Sequence, residues 1–69
     1  MDWNLENLYV TGLYLGEIPV IGKVTLSRVK YGGGITHHVE LAQTINVYGS
    51  YRDAVILEHH QIETVSSNI

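Results

Sequence analysis

Apolar residues recur at every second position along most of this chain, and this alternation constrains its fold more than any other feature. In the run VIGKVTLSRVKY, residues 20 to 31, Val20, Val24 and Leu26 share one parity. A repeat of two residues places alternate side chains on opposite faces of a β-strand. Seven glycines and the single proline, Pro19, interrupt the apolar runs as turn residues do. The pattern predicts short strands joined by tight turns.

Further local features refine this prediction. The strands are expected at residues 8–15, 20–31, 35–42, 45–49 and 54–60. The apolar phase slips by one residue within the second of them, which predicts a β-bulge near Ser27–Arg28. The run GSYRD, residues 49–53, is typical of a turn, and the spacing of Ile62 and Val65 predicts a 3₁₀ or helical turn.

We therefore predict an all-β chain of four to five strands, forming a small antiparallel barrel or rolled sheet of the SH3-like or Sm-like kind. A single domain covers residues 1–69, with short helical turns near its ends. Residues 1–7 form an N-terminal segment, either one helical turn capped by Asp2 or an extended start. Residues 8–65 form the barrel, and residues 66–69 form a frayed tail.

Length and charge limit the classes of function. With 69 residues and no cysteine, the chain builds a small core that no disulfide can reinforce, so we expect a homo-oligomer. A net charge of −3, from four Lys and Arg against seven Asp and Glu, argues against nucleic acid as the partner. No apolar run approaches the roughly 20 residues of a membrane helix, and the N-terminus lacks signal-peptide features. We expect a cytoplasmic protein without membrane association.

The three consecutive glycines Gly32, Gly33 and Gly34 raise the question of a phosphate-binding loop. Such a loop needs a lysine after the glycines and a helix whose N-terminus holds the anion. Here Lys30 precedes the glycines and a strand pattern follows them. The glycines therefore predict a hairpin turn, with a loop that closes on a ligand as the alternative.

The four histidines form two adjacent pairs, at residues 37–38 and 59–60. Neighbours in a strand point to opposite faces, so neither pair can hold one metal ion. Cross-strand pairs remain open, joining His37 to His59 or His38 to His60. If the strands are neighbours, His38 and His60 are the metal candidates, with Glu40 and Glu58 as further ligands. Rim or surface histidines are the competing interpretation, and we expect no metal and no cofactor.

Catalytic signatures are weak in this sequence. None of its serines lies in the G-x-S-x-G motif of a nucleophile elbow. Ser50, Asp53 and a histidine can be drawn as a triad, but a barrel this small rarely encloses a pocket that excludes water. We expect a protein that is not an enzyme.

Tyrosines beside cations point instead to binding. The chain has five tyrosines, one tryptophan and no phenylalanine. Tyrosine combines apolar area with a hydroxyl group, and tyrosine with arginine commonly anchors protein interfaces. Tyrosines that are half-buried on a thin barrel are the competing interpretation. The predicted binding residues lie in two turn regions: Lys30, Tyr31, Gly32, Gly33, Gly34, Tyr48, Tyr51 and Arg52.

The runs VTLSRVKYGG, HHVEL, INVYG and RDAVILEHHQI, within residues 8 to 65, resemble small proteins encoded by tailed bacteriophages. The resemblance implies an accessory protein that binds and inhibits a larger host protein, including one of a defence system. It carries no catalytic residues with it. The alternatives are an oligomeric protein that binds or sequesters a nucleotide-like signal, a nucleic-acid-binding barrel, and a structural component of a virion.

Overall fold

The structure, a computed structural model, describes residues 4–67 and consists of five antiparallel strands in one sheet. Along the sheet the strand order is β4-β3-β2-β1-β5. A 3₁₀ turn, His59–Gln61, joins β4 to β5. The prediction of an all-β antiparallel fold is confirmed. The strands are β1 (Tyr9–Tyr14), β2 (Ile18–Val29), β3 (Ile35–Val47), β4 (Ser50–Glu58) and β5 (Ile62–Ser66).

The sheet is rolled, and it is not closed into a barrel. β1 pairs with β2 and with β5, and it also packs against β4 across the sheet. Within residues 4–67, β4 and β5 form the two edges and no hydrogen-bond ladder joins them. The β1–β5 ladder includes a hydrogen bond between the hydroxyls of Thr11 and Thr64, whose oxygens lie 2.6 Å apart.

The alternating apolar residues fill the inside of the roll. Val10, Val24, Val39 and Leu57 come from four different strands, and each is at most 1% exposed. Burying a side chain of this size stabilises a fold by about 1.5–3 kcal/mol. The core is completed by Leu5, Val20 and Val55, with Leu8, Tyr14, Ile18, Leu41, Ile45 and Ile62 packed against it.

The N-terminal segment is fixed to β2 by backbone hydrogen bonds. The amide of Asn7 donates to the carbonyl of Val24 at 2.8 Å, and the amide of Val24 donates to the carbonyl of Leu8 at 2.8 Å. Leu5 is buried, and its carbonyl accepts the Leu8 amide at 3.0 Å to form a tight turn. The predicted cap Asp2 lies outside the described residues.

The bulge in β2 lies earlier than predicted. Val24 pairs with Val39 and Leu26 pairs with His38, so Thr25 is the extra residue. The predicted position of the bulge, near Ser27–Arg28, is therefore wrong by about two residues. The reason is that Leu26 is apolar but lies on the outer side of the sheet, so the apolar phase changes later than the backbone does.

The β3–β4 connection also differs from the prediction. β3 is one strand where two were expected, and its pairing with β4 is interrupted between Glu40 and Ile45. The turn is only Tyr48–Gly49, with φ values of 49° and 86°. Two consecutive residues with positive φ make the tight hairpin turn that suits the strand twist, so β4 already begins at Ser50. The prediction of a turn over residues 49–53 is therefore wrong after Gly49, because residues 50–53 belong to β4.

The 3₁₀ turn comes before the position predicted for it. It occupies the histidine pair, which was expected to end a strand, while Ile62–Ser66 forms β5. The side chain of Gln61 accepts the backbone amide of Glu58 at 2.9 Å and so stabilises the start of the turn. Ser66, predicted to belong to the tail, pairs with Tyr9.

Candidate functional site

The outer face of the β2–β3–β4 sheet carries a row of side chains that crosses all three strands. Leu26 pairs with His38, and His38 pairs with Ile56. Residues directly opposite each other in antiparallel strands point to the same face. Val39 and Val55, the next residues along β3 and β4, are buried on the other face. Leu26, His38 and Ile56 together form what we name the outer stripe.

The outer stripe leaves apolar surface in contact with solvent. Leu26 is 40% exposed and Ile56 is 52% exposed, and Val29 at the end of β2 is 51% exposed. Burying apolar surface is favourable by about 25 cal/mol per Å². Adjoining exposed apolar residues with a polar rim are typical of interaction surfaces, whereas single ones are common on any protein.

Two shallow hollows flank His38 and Ile56. The first, which we name the basic hollow, has a volume of about 530 Å³ and contains two cationic side chains. The second, the mixed hollow, has a volume of about 340 Å³. The basic hollow is lined by Arg28, Lys30, Tyr31, Thr36, His38 and Ile56, with Val29. The mixed hollow includes Thr25, His38, Glu40, Arg52, Ala54 and Ile56.

The basic hollow has a polar floor and charged walls. Arg28 pairs with Thr36, and Thr36 pairs with Glu58, so a second row crosses the strands beside the outer stripe. Thr36 is buried beneath its neighbours. The ammonium group of Lys30 lies 3.7 Å from a carboxylate oxygen of Glu58, and both side chains are about half exposed. An exposed ion pair of this length contributes at most about 1 kcal/mol, so it leaves Lys30 free to change partners.

The glycine-rich loop is the hairpin turn that its sequence predicts. The amide of Gly33 donates to the carbonyl of Lys30 at 2.9 Å, and Gly32 and Gly33 have φ values of 96° and 98°. Residues other than glycine rarely adopt this backbone conformation. A strand follows Gly34, so the loop has no helix N-terminus to bind an anion. The turn holds Tyr31 fully exposed at the rim of the basic hollow.

The other predicted binding residues lie in the β3–β4 turn and in the first part of β4. Tyr48 is in the β3–β4 turn, and Tyr51 and Arg52 are in β4. The hydroxyl of Tyr48 donates to a carboxylate oxygen of Glu17 at 3.0 Å, and this bond, with the nearby charge, raises the pKa of Tyr48 above 10. Tyr48 and Tyr51 are largely exposed. The structure thus separates Tyr48 and Tyr51 from the residues of the glycine-rich loop, whereas Arg52 lines the mixed hollow beside the outer stripe.

A chain of hydrogen bonds runs through the interior beside Leu57. The Oγ atom of Ser27 lies 2.7 Å from Nδ1 of His37, and Nε2 of His37 lies 2.8 Å from Nδ1 of His59. The amide of Leu5 donates to Ser27 Oγ at 3.0 Å. Because Ser27 Oγ already accepts that proton, its own hydroxyl can donate to His37 Nδ1, and His37 Nε2–H can then donate to His59. In this arrangement the Leu5 amide, the Ser27 hydroxyl and His37 Nε2–H each have an acceptor.

This network resembles a nucleophile with its base, but its geometry is structural. Ser27 is 6% exposed and His37 is fully buried, so a substrate has no approach to either side chain. The Leu5 amide occupies the serine oxygen that would attack. Burial, and secondly the charge of a protonated His59, lower the pKa of His37 below 6.5, which favours its neutral form. The structure brings His37 and His59 together, although His59 lies in the 3₁₀ turn and not on a strand.

The metal candidates occupy separate positions. His38 lies in the outer stripe opposite Ile56, whereas His60 lies in the 3₁₀ turn that follows β4. Within residues 4–67, no three histidine, aspartate or glutamate side chains are grouped so that they could hold a metal ion. His37 and His59 use the facing nitrogens for a direct bond. Two nitrogens bound to one tetrahedral zinc would lie roughly 3.3 Å apart, given Zn–N distances of about 2.0–2.1 Å. The 2.8 Å between Nε2 of His37 and Nδ1 of His59 is shorter and fits a hydrogen bond instead.

Sequence reasoning missed the outer stripe and the role of Ser27. Ile56 gave a signal, because it falls in the same parity as Ala54, Glu58 and His60 and is the one large apolar residue of that set. Leu26 gave none, because the early bulge moves it to the outer face. The partner of Ser27 is ten residues away in sequence, and only the β2–β3 register brings it close.

Comparisons of the chain with protein-family models, with curated proteins and with solved structures found no match. The function therefore has to be argued from the residues themselves. No helix among residues 4–67 is long and apolar enough to cross a membrane.

Proposed function

We propose that this protein is a non-enzymatic binding module whose outer stripe contacts a larger protein. The exposure of Leu26 and Ile56 on either side of His38, on one face of the sheet, carries the proposal. Both residues lie within hydrogen-bonded strands, so binding would not require them to become ordered first. His38 between them has a polar ring that can either donate or accept a hydrogen bond at the interface.

The surroundings of the outer stripe suit a protein partner. The two hollows are open and shallow, and side chains of a partner can fill them from above. Arg28 and Tyr31 stand at the rim, and arginine and tyrosine are enriched among the residues that dominate binding energy. The buried pair of Ser27 and His37 serves the interior, so the proposal assigns no catalytic residue.

The resemblance to tailed-phage accessory proteins extends the proposal to a host protein as the partner and to inhibition as the effect. The partner would occupy the outer face, while the edges of β4 and β5 leave room for self-association in the cytoplasm of the host. The host partner and the inhibition rest on the resemblance, whereas self-association rests on the open sheet edges.

An affinity experiment with matched variants tests the proposal. The wild type, Ile56→Asp and Leu15→Asp are immobilised and exposed to bacterial lysate, and the native mass of each free protein is measured. Ile56 and Leu15 are exposed to 52% and 51%, but Leu15 lies in the β1–β2 turn, outside the outer stripe. We expect a stoichiometric protein partner on the wild type and on Leu15→Asp, and its loss on Ile56→Asp. No stoichiometric partner, or equal retention by both variants, would refute the proposal.

A further inference from the structure

We infer that the partner segment bound by the outer face carries a carboxylate close to an apolar side chain. The carboxylate would occupy the basic hollow between Arg28 and Lys30, and the apolar side chain would cover Leu26 and Ile56. This inference rests on the proposed function and adds to it the chemistry of the partner.

The distribution of charge is the first argument. The chain has four Lys and Arg residues and a net charge of −3, yet two of the four cations line one hollow. Within residues 4–67, no carboxylate forms an ion pair with Arg28, and the single ion pair of the hollow joins Lys30 to Glu58 at 3.7 Å. A local positive charge on an acidic protein attracts an anionic group and repels a basic one.

The geometry of Arg28 is the second argument. Its neighbour across the sheet is the small residue Thr36, and both line the basic hollow of about 530 Å³, which leaves space beside the guanidinium group for a planar group. Guanidinium presents two parallel N–H donors that match the two oxygens of a carboxylate. Lys30 can leave its loose contact with Glu58 and contribute a second positive charge.

The spacing along β2 is the third argument. Leu26 and Arg28 lie on the same outer face and pair with His38 and Thr36 respectively. Same-face residues of a strand are separated by about 6.6 Å, and so are residues i and i+2 of an extended partner. An extended segment with an acidic residue two positions from an apolar residue can therefore reach the basic hollow and the outer stripe together.

An acidic protein segment fits this surface better than a nucleic acid. A nucleic-acid strand requires cations along a track, whereas the other two cations, Lys23 and Arg52, lie outside the basic hollow. The exposed side chains of Leu26 and Ile56 would also stay uncovered by a phosphate backbone. These features favour a carboxylate on a partly apolar protein surface.

A peptide library provides the test. Random 12-residue peptides displayed on phage are selected against the immobilised wild-type protein, and several enriched peptides are synthesised with a fluorescent label. Their Kd values are measured by anisotropy at low and moderate salt, for the wild type, Arg28→Glu, Ile56→Asp and the control Lys23→Glu. Lys23 has the same charge as Arg28 but lies outside the basic hollow. Circular dichroism checks that each variant is folded.

We expect enriched peptides to contain Asp or Glu two positions from an apolar residue. We also expect Arg28→Glu to weaken binding about tenfold, and Lys23→Glu to weaken it less than about threefold. Enrichment of basic or neutral peptides, equal effects of the two charge reversals, or no enrichment would overturn the inference. If Ile56→Asp abolishes binding while Arg28→Glu does not, the inference fails and the proposed function stands. If Ile56→Asp leaves binding unchanged, the proposed function fails as well.

Discussion

The Nε2 atom of His37 lies 2.8 Å from Nδ1 of His59, and this bond joins a fully buried side chain near the start of β3 to the 3₁₀ turn. The pair also determines how the fold responds to acid. If both rings are protonated to the imidazolium form, two N–H groups face each other and the bond is lost. Burial and the neighbouring ring accordingly lower the pKa of His37.

The first prediction concerns stability and pH. Unfolded His37 titrates near 6.5, while folded His37 titrates lower, so the unfolded state binds more protons between these two values. Its contribution to the free energy of unfolding is therefore complete above about pH 7.5 and is lost as the pH falls from there through the folded pKa. Urea denaturation from pH 8 to pH 5 should show a slope of at most about 1.4 kcal/mol per pH unit from this group.

Variants separate His37 from the other histidines in that experiment. His37→Gln should lose part of the slope between pH 7 and pH 5, whereas His60→Gln, at an exposed position of the 3₁₀ turn, should keep it. An NMR titration of the imidazole protons in the wild type gives the same answer without a substitution. A midpoint for His37 at or above 6.5 would contradict the prediction.

The second prediction concerns Ser27. Ser27→Ala removes the acceptor of the Leu5 amide and the partner of His37 Nδ1, and it leaves both polar groups without a partner in the interior. Groups left in this way cost about 1–3 kcal/mol each. We expect chemical denaturation to show a loss of about 2 kcal/mol or more, with faster hydrogen exchange of the Leu5 amide. Ser50→Ala, at an exposed site, serves as the control; equal stability of the two variants would be incompatible with the network.

The third prediction compares adjacent residues of β4. Leu57→Ala removes a fully buried side chain and should destabilise the fold by about 2–5 kcal/mol through lost burial and a residual cavity. Ile56→Ala, on the outer stripe, should change the free energy of unfolding by less than about 1 kcal/mol. Thermal and urea denaturation measure both effects. A greater loss for Ile56→Ala than for Leu57→Ala would mean that the two faces of β4 have been exchanged.

The fourth prediction concerns a glycine inside the sheet. A Cβ atom at Gly22 would meet the backbone carbonyl of Glu40 and would lie 2.8 Å from Cγ1 of Val39. Since the backbone of β3 cannot move without breaking the ladder, we expect Gly22→Ala to cost about 3 kcal/mol or more, or to prevent folding. At Gly34 the nearest atom is the flexible Cε of Lys30, and φ is not positive. Soluble, stable Gly22→Ala beside an unfolded Gly34→Ala would contradict this packing.

The sequence was sufficient for the class of fold because the alternation of apolar residues is a local property. Val10, Val24, Val39 and Leu57 are buried where the alternation places them. Local patterns were less informative where pairing between strands decides the outcome. Leu26 is apolar like a core residue, but it lies on the outer face of the sheet because the register of β2 with β3 changes at Thr25.

The candidate site was only partly accessible to sequence reasoning. A turn signal predicts Tyr31 and Lys30 as binding residues, and in the structure both line the basic hollow. Tyr48 carries the same signal, but the length of β3 places it at the far end of the sheet, whereas Arg52 lines the mixed hollow. The contact of His37 with Ser27 depends on which strands are neighbours, a property that alternation within one strand does not encode.

The ladder between β1 and β5 has a consequence for the kinetics of folding. Its threonine pair, Thr11 with Thr64, is separated by 53 residues, whereas the β2–β3 and β3–β4 hairpins pair chain neighbours. Closing a long loop costs conformational entropy before the contact contributes any favourable free energy, so a high contact order slows folding. We expect the central hairpins to form first and β1 to keep one edge unpaired until residues 62–66 arrive. During synthesis on the ribosome, this unpaired edge of β1 can therefore pair with a wrong strand until residues 62–66 have been made.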